Sequence, residues 1–141
     1  MRGPMRERGS MTTEAVLLAP VFLVFMLFLV AAGRIVEAHG EVAGAARDAV
    51  RAASVQRDQA QGQAAAEQAA QAALQDSCAN GPRVEVEFQA AEGGEGLAGG
   101  LAEAAVTCTI DLSVVSFLGI EPQKEMSASA VAPLEQFRRM K

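Results

Sequence analysis

Ala15 to Gly33 read AVLLAPVFLVFMLFLVAAG, nineteen residues without a charge. Wound as an α-helix they rise about 28 Å at roughly 1.5 Å each, close to the roughly 30 Å hydrocarbon thickness of a bilayer. The stretch is therefore expected as a membrane-spanning helix over residues 10–33, with the lipid bilayer as its first partner. Arg2, Arg6 and Arg8 precede it and Glu14 sits at its edge. Basic residues gather on the cytoplasmic flank of membrane helices. The implied topology is a single-pass cell-membrane protein, N-terminus cytoplasmic and C-terminal part extracytoplasmic. Residues 1–9 then form a short, disordered cytoplasmic leader. Pro20 removes one helical hydrogen bond and is expected to kink the span.

Helix-forming sequence continues past the membrane edge. From Arg34 to Gln75 there is no proline, and Ala, Gln, Glu and Arg dominate. Ile35, Val36, Val42, Ala43, Ala46, Ala49, Val50 and Ala53 recur at three- and four-residue steps, and Ala60, Ala64, Ala70 and Leu74 follow. This predicts an extracytoplasmic helix over 34–75 with an alanine face, and Gln61-Gly62 is its weakest point. Gly40 and Gly44 either let another backbone approach or are plain helix padding.

Asn80-Gly81-Pro82 ends the helical pattern. Val84, Val86 and Phe88 then alternate with polar residues, as do Val106, Cys108, Ile110 and Leu112. A third, weaker alternation runs from Glu125 to Ala132 and stops at Pro133. These are strand patterns, with a glycine-rich loop at 91–100 between the first two. Residues 76–135 are expected as a small β-rich domain and 136–141 as a solvated tail. The fold class is α+β: a long N-terminal helix, membrane-spanning in its first half, packed on a small antiparallel sheet.

Composition narrows the function. There is no Trp or Tyr, and of six Phe only Phe88, Phe117 and Phe137 lie beyond the anchor. So small a core needs a staple or a partner. Cys78 and Cys108 both fall on the outer side, where a disulfide is permitted; the alternative is two free, half-buried thiols. The net charge of −5 argues against nucleic acid, the basic tail Arg138, Arg139 and Lys141 being short. No catalytic or metal residues are assigned and no cofactor is expected. His39 is the single histidine and has no evident nucleophile beside it. Glu85 and Glu87 alternate with valine and read as solvated. The protein is not expected to be an enzyme.

Arg8-Gly9, then Ser10-Met11-Thr12-Thr13-Glu14, then the apolar run is similar to the layout of a type IV prepilin. The closer resemblance is to TadE-like pseudopilins of the tight-adherence (Flp) pilus. The Ala46–Ala53 run, the Val106–Ile110 strand and the Ser127–Pro133 end resemble that family too. The chain departs from many Flp-type pilins at Ala15, where an aromatic residue is common, and in carrying Glu7 in the leader. The resemblance implies a pilin-like shape, a processing site between Gly9 and Ser10, and Glu14 as the fifth mature residue, serving peptidase recognition and assembly. It also implies a minor pilin or pseudopilin role in assembling or exporting an adhesion pilus. The implied partners are a prepilin peptidase, other pilins and pseudopilins, and the pilus assembly platform, with a surface pilus as a further location. Two other readings stand beside it. One is a plain single-span anchor carrying a binding or regulatory domain. The other is a secreted domain released by signal-peptide cleavage at Ala31-Ala32-Gly33.

Overall fold

The computed structural model describes residues 8–93, 96–119 and 121–134. The first seven leader residues, Ile120 and the tail lie outside that range. The chain divides into two compact units, residues 1–36 and 37–141.

Helix α1, Arg8–Ser54, is continuous through Pro20. It therefore begins two residues inside the expected leader. Within the second unit it buries Ala38, Val42, Ala45, Ala46, Ala49, Val50 and Ala53, and Val42 and Ala46 are fully enclosed. This is the stripe that three- and four-residue spacing gives a helix, although Val36 stays 73 % exposed.

The single helix expected over 34–75 is two helices. α1 stops at Ser54 and α2 runs Gln59–Leu74. The break falls at 55–58, before Gln61-Gly62. The Ser54 hydroxyl donates to the Arg51 carbonyl at 2.9 Å, and the Gln56 N–H donates to the Ala53 carbonyl at 3.1 Å. Gln56 also donates its side-chain amide to the Ala52 carbonyl at 3.4 Å. Carbonyls at the end of α1 thus find local donors, which is how a helix terminates without loss. Asp58 is extended, and its carbonyl accepts the Gly62 N–H at 2.8 Å to start α2. The restart resets the phase. Gly62, Ala66, Ala70 and Leu74 are buried, whereas Ala60 and Ala64 are exposed. Gly62 serves close packing and not a break: a Cβ there would lie 2.8 Å from the Phe88 Cζ and 3.4 Å from the Ala53 carbonyl.

Strands β1 (Arg83–Gln89), β2 (Leu101–Asp111) and β3 (Gln123–Pro133) form an antiparallel sheet in the order β1-β2-β3. β2 starts at Leu101, five residues before its alternating apolar pattern. Across the sheet Val84 pairs with Val106 and Val106 with Ala128; Val86 pairs with Ala104 and Ala104 with Ala130. Ala102, Ala104, Val106 and Cys108 on the inner face are at most 1 % exposed. Arg83, Glu85, Glu87, Ser127, Ser129 and Val131 occupy the other face and are exposed. Gly100 sits where the chain re-enters the sheet, and any Cβ there would run into the Gln89 carbonyl.

α2 packs against β1 and also closes its outer edge. The Gln63 side-chain amide donates to the Val84 carbonyl at 2.7 Å, and its carbonyl accepts the Val86 N–H at 3.0 Å. One side chain thus stands in for the peptide group of a neighbouring strand. Glu67 holds the amide in place by accepting from it at 2.7 Å.

Cys78 and Cys108, at a sequence separation of 30, form a disulfide with Cα atoms 5.4 Å apart. The Ala79 N–H donates to the Thr109 carbonyl at 2.8 Å beside it. Bond and hydrogen bond together pin the segment before β1 to β2. In the chain-entropy account a loop of that length contributes about 3–4 kcal/mol.

Two outcomes are expected. Replacing Gln63 by Ala leaves the Val84 and Val86 backbone groups without that partner and lowers stability by about 1–3 kcal/mol. Replacing Cys108 by Ser lowers it by about 3–4 kcal/mol. Pulse proteolysis of the full chain in detergent across a urea series measures both, and suits a chain that lacks Trp and Tyr.

Candidate membrane and assembly segment

From Val16 to Val30 every large apolar side chain is exposed, by 42 to 69 %. Each such group left in water forgoes about 1.5–3 kcal/mol of burial. A contiguous apolar surface of this kind marks a membrane or partner site. It is the one helix among the described residues long and apolar enough to cross a membrane. On its surface Pro20, Val21, Val24, Phe25 and Phe28 line an open apolar hollow.

Gly9 and Ser10 lie in the first turn of α1. The sequence places Gly9 at the end of a disordered leader. The first four N–H groups of a helix have no intrahelical acceptor, and glycine costs a helix about 1 kcal/mol relative to alanine. Opening this turn to an extended form is accordingly cheap. Glu14 is exposed, one helical turn beyond the Ser10 backbone nitrogen.

The other singled-out residues fall elsewhere. His39 is exposed on α1, and Glu85 and Glu87 lie on the solvent face of β1. A Cβ at Gly40 or Gly44 would meet no atom within 4 Å. No group of three metal-ligating side chains occurs among the described residues. Sequence reasoning missed Gln63. Its signal is faint: one polar residue beside the buried Gly62-Ala66-Ala70 stripe.

Residues 9–51 match the family model described as TadE-like protein. The match opens at Gly9 and takes in Glu14, the apolar run and α1 as far as Arg51. The resemblance read from the sequence therefore holds over this segment. α2 and all three strands lie beyond it. The chain has no significant match among the curated proteins or the solved structures.

Replacing Leu23 by Arg puts a charge near the middle of the apolar run, at a cost of about 2.5–3.5 kcal/mol in a membrane-inserted helix. The expected result is a smaller carbonate-resistant membrane fraction than for the unaltered chain.

Proposed function

We propose that this protein is a TadE-like pseudopilin or minor pilin, anchored by α1 in the cell membrane, that helps assemble or export a tight-adherence pilus. The observation that carries this reading is one coincidence. The family match begins at the small-residue step Gly9-Ser10 and runs through Glu14 and the exposed apolar helix. The match supports association with the tight-adherence pilus system. Its finer role rests on the chemistry of the segment.

In this reading the arginines hold the leader on the cytoplasmic side and a prepilin peptidase cuts after Gly9. The cut creates an ammonium group on Ser10, four residues from Glu14. A carboxylate at the edge of a bilayer is costly where it is driven inward. An ammonium on a neighbouring pilin relieves that cost on docking, so the charge pair favours assembly over free diffusion. The work is packing between helices, with no catalytic step. The partners are the bilayer, the peptidase, other pilins and the assembly platform. The outer unit lies in the extracytoplasmic space.

The mass of the N-terminal peptide of protein purified from its host's membranes tests the reading. A start at Ser10 is expected. A start near Arg34 would replace it with a secreted domain, and an intact Met1 with a simple anchor. Glu14→Ala is expected to abolish the protein's contribution to piliation, scored by counting pili; normal piliation with intact processing would remove the role assigned to Glu14.

A further inference from the structure

The outer unit has few large apolar side chains, and one of them stands outside its core. Phe117 is 64 % exposed on a short 3-10 helix, Ser113–Leu118, in the connection from β2 to β3. The largest fully buried side chains among the described residues are Leu74, Val42, Val106 and Cys108. A phenylalanine left in water forgoes burial that such a core lacks. The turn that carries it is well suited to leaving water. Leu112 to Gly119 hold no charge. The Ser113 N–H donates to the Asp111 carboxylate at 2.8 Å, and the Ser116 hydroxyl to the Ser113 carbonyl at 2.8 Å. The Gly119 N–H donates to the Ser116 carbonyl at 3.0 Å, and the Leu112 N–H to the Pro122 carbonyl at 2.7 Å, which closes the neck of the turn. Polar groups already paired cost less to take out of water. Leu112 is buried and ties the turn to the core.

The turn lies at the end of the unit that α1 enters. At the far end, Gly62 lies against both the Phe88 ring and the Ala53 carbonyl, and Phe88 pairs with Ala102. From there α2 returns along β1, and the segment after it is bonded through Cys78 to Cys108, with the Ala79 N–H on the Thr109 carbonyl. α1 covers a similar length. Its stripe from Ala53 back to Ala38 is buried, and it measures about 22 Å. The three strands span about 10 Å from first to third, whereas eleven-residue β2 is about 35 Å long. A stripe of that length stays covered only along the strands. Ala38 is therefore toward Asp111 and Gln123, the residues between which the turn is made.

We propose that this turn is a second membrane contact, with Phe117 seated in the interfacial layer of the bilayer that α1 crosses. The proposal rests on the reading of α1 as a membrane anchor and adds a lipid-binding residue outside the TadE-like match. The apolar run ends at Gly33, and chain length alone keeps Glu37 within about 14 Å of it. The end of the unit that bears the turn is thus held close to the membrane surface. The size of the feature selects lipid as its occupant. One aromatic ring offers about 150–250 Å², against the roughly 800 Å² a side of a stable protein interface. A lipid surface takes in single apolar rings at the boundary of headgroup and acyl chain. Asp111, Glu121 and Lys124 beside the neck are exposed, and their charges stop the turn at that depth. Held at two points, the outer unit loses freedom to tilt and turn above the membrane.

The chain has no Trp or Tyr, so a single introduced tryptophan reports alone. The test uses the full-length chain in phosphatidylcholine nanodiscs, as Phe117→Trp, Val131→Trp and Leu23→Trp. Phe117 and Val131 are both exposed, Val131 on the solvent face of the sheet, so the fold accommodates either replacement. Phe117→Trp is expected to emit to the blue of Val131→Trp. It is also expected to lose intensity when the phosphatidylcholine is brominated on its acyl chains near the headgroup, while Val131→Trp keeps its intensity. Leu23→Trp reports the anchor separately, through lipid brominated deep in the chains. Quenching of Leu23→Trp, with Phe117→Trp quenched no more than Val131→Trp, overturns the proposal and leaves the anchor standing. An unquenched Leu23→Trp overturns both. Blue emission from Phe117→Trp that ignores brominated lipid would place a second copy of the chain on the turn and overturn the bilayer contact.

Discussion

Buried alanines govern the folded part of this protein. Ala46, Ala49 and Ala53 on α1, Ala66 and Ala70 on α2, and Ala102 and Ala104 on β2 are all fully enclosed. Small side chains let backbones come close, but each removes little apolar area from water. Leu74, Val42, Val106 and Cys108 are the largest fully buried side chains among the described residues. Such a core has little hydrophobic surplus. The features around it follow: a glycine at 62 that admits the Phe88 ring, a glutamine that closes a sheet edge, and a covalent bond between the segment before β1 and β2.

Much of this was legible because the periods were clean. The charge-free run announced the exposed apolar half of α1. Strict alternation announced the inner faces of β1 and of the second half of β2. The two cysteines fell where a bond was expected. What was not legible has physical causes. Leu101 to Ala105 read Leu-Ala-Glu-Ala-Ala, residues with weak strand preference, and became strand through pairing with β1 and β3. The break at 55–58 depends on side-chain capping by Ser54 and Gln56, which periodicity does not report. Once the break moved, the assignments of Ala60 and Ala64 to a buried face failed with it.

The candidate site was legible in kind and less so in conformation. Gly9, Ser10 and Glu14 could be picked out by order alone, because a small step, a carboxylate and an apolar helix form a linear signal. That Gly9 and Ser10 lie within a helical turn could not. Helix formation there depends on the apolar run that follows, and short terminal turns take their state from their neighbours. Gln63 shows the opposite limit. Its role exists only once α2 lies along β1, twenty-one residues away in sequence.

The bond between Cys78 and Cys108 has a consequence for where this chain is sturdy. A domain of ordinary stability holds about 5–15 kcal/mol in all, and this bond supplies a sizeable share of that. Thiols persist in the cytosol and disulfides outside it. The same polypeptide is thus loosely held on one side of a membrane and firmly held on the other. A domain that is soft before it crosses and hard afterwards resists crossing least when it must cross, and cannot readily slip back. In the topology proposed above, this redox step and the flanking arginines favour the same sidedness.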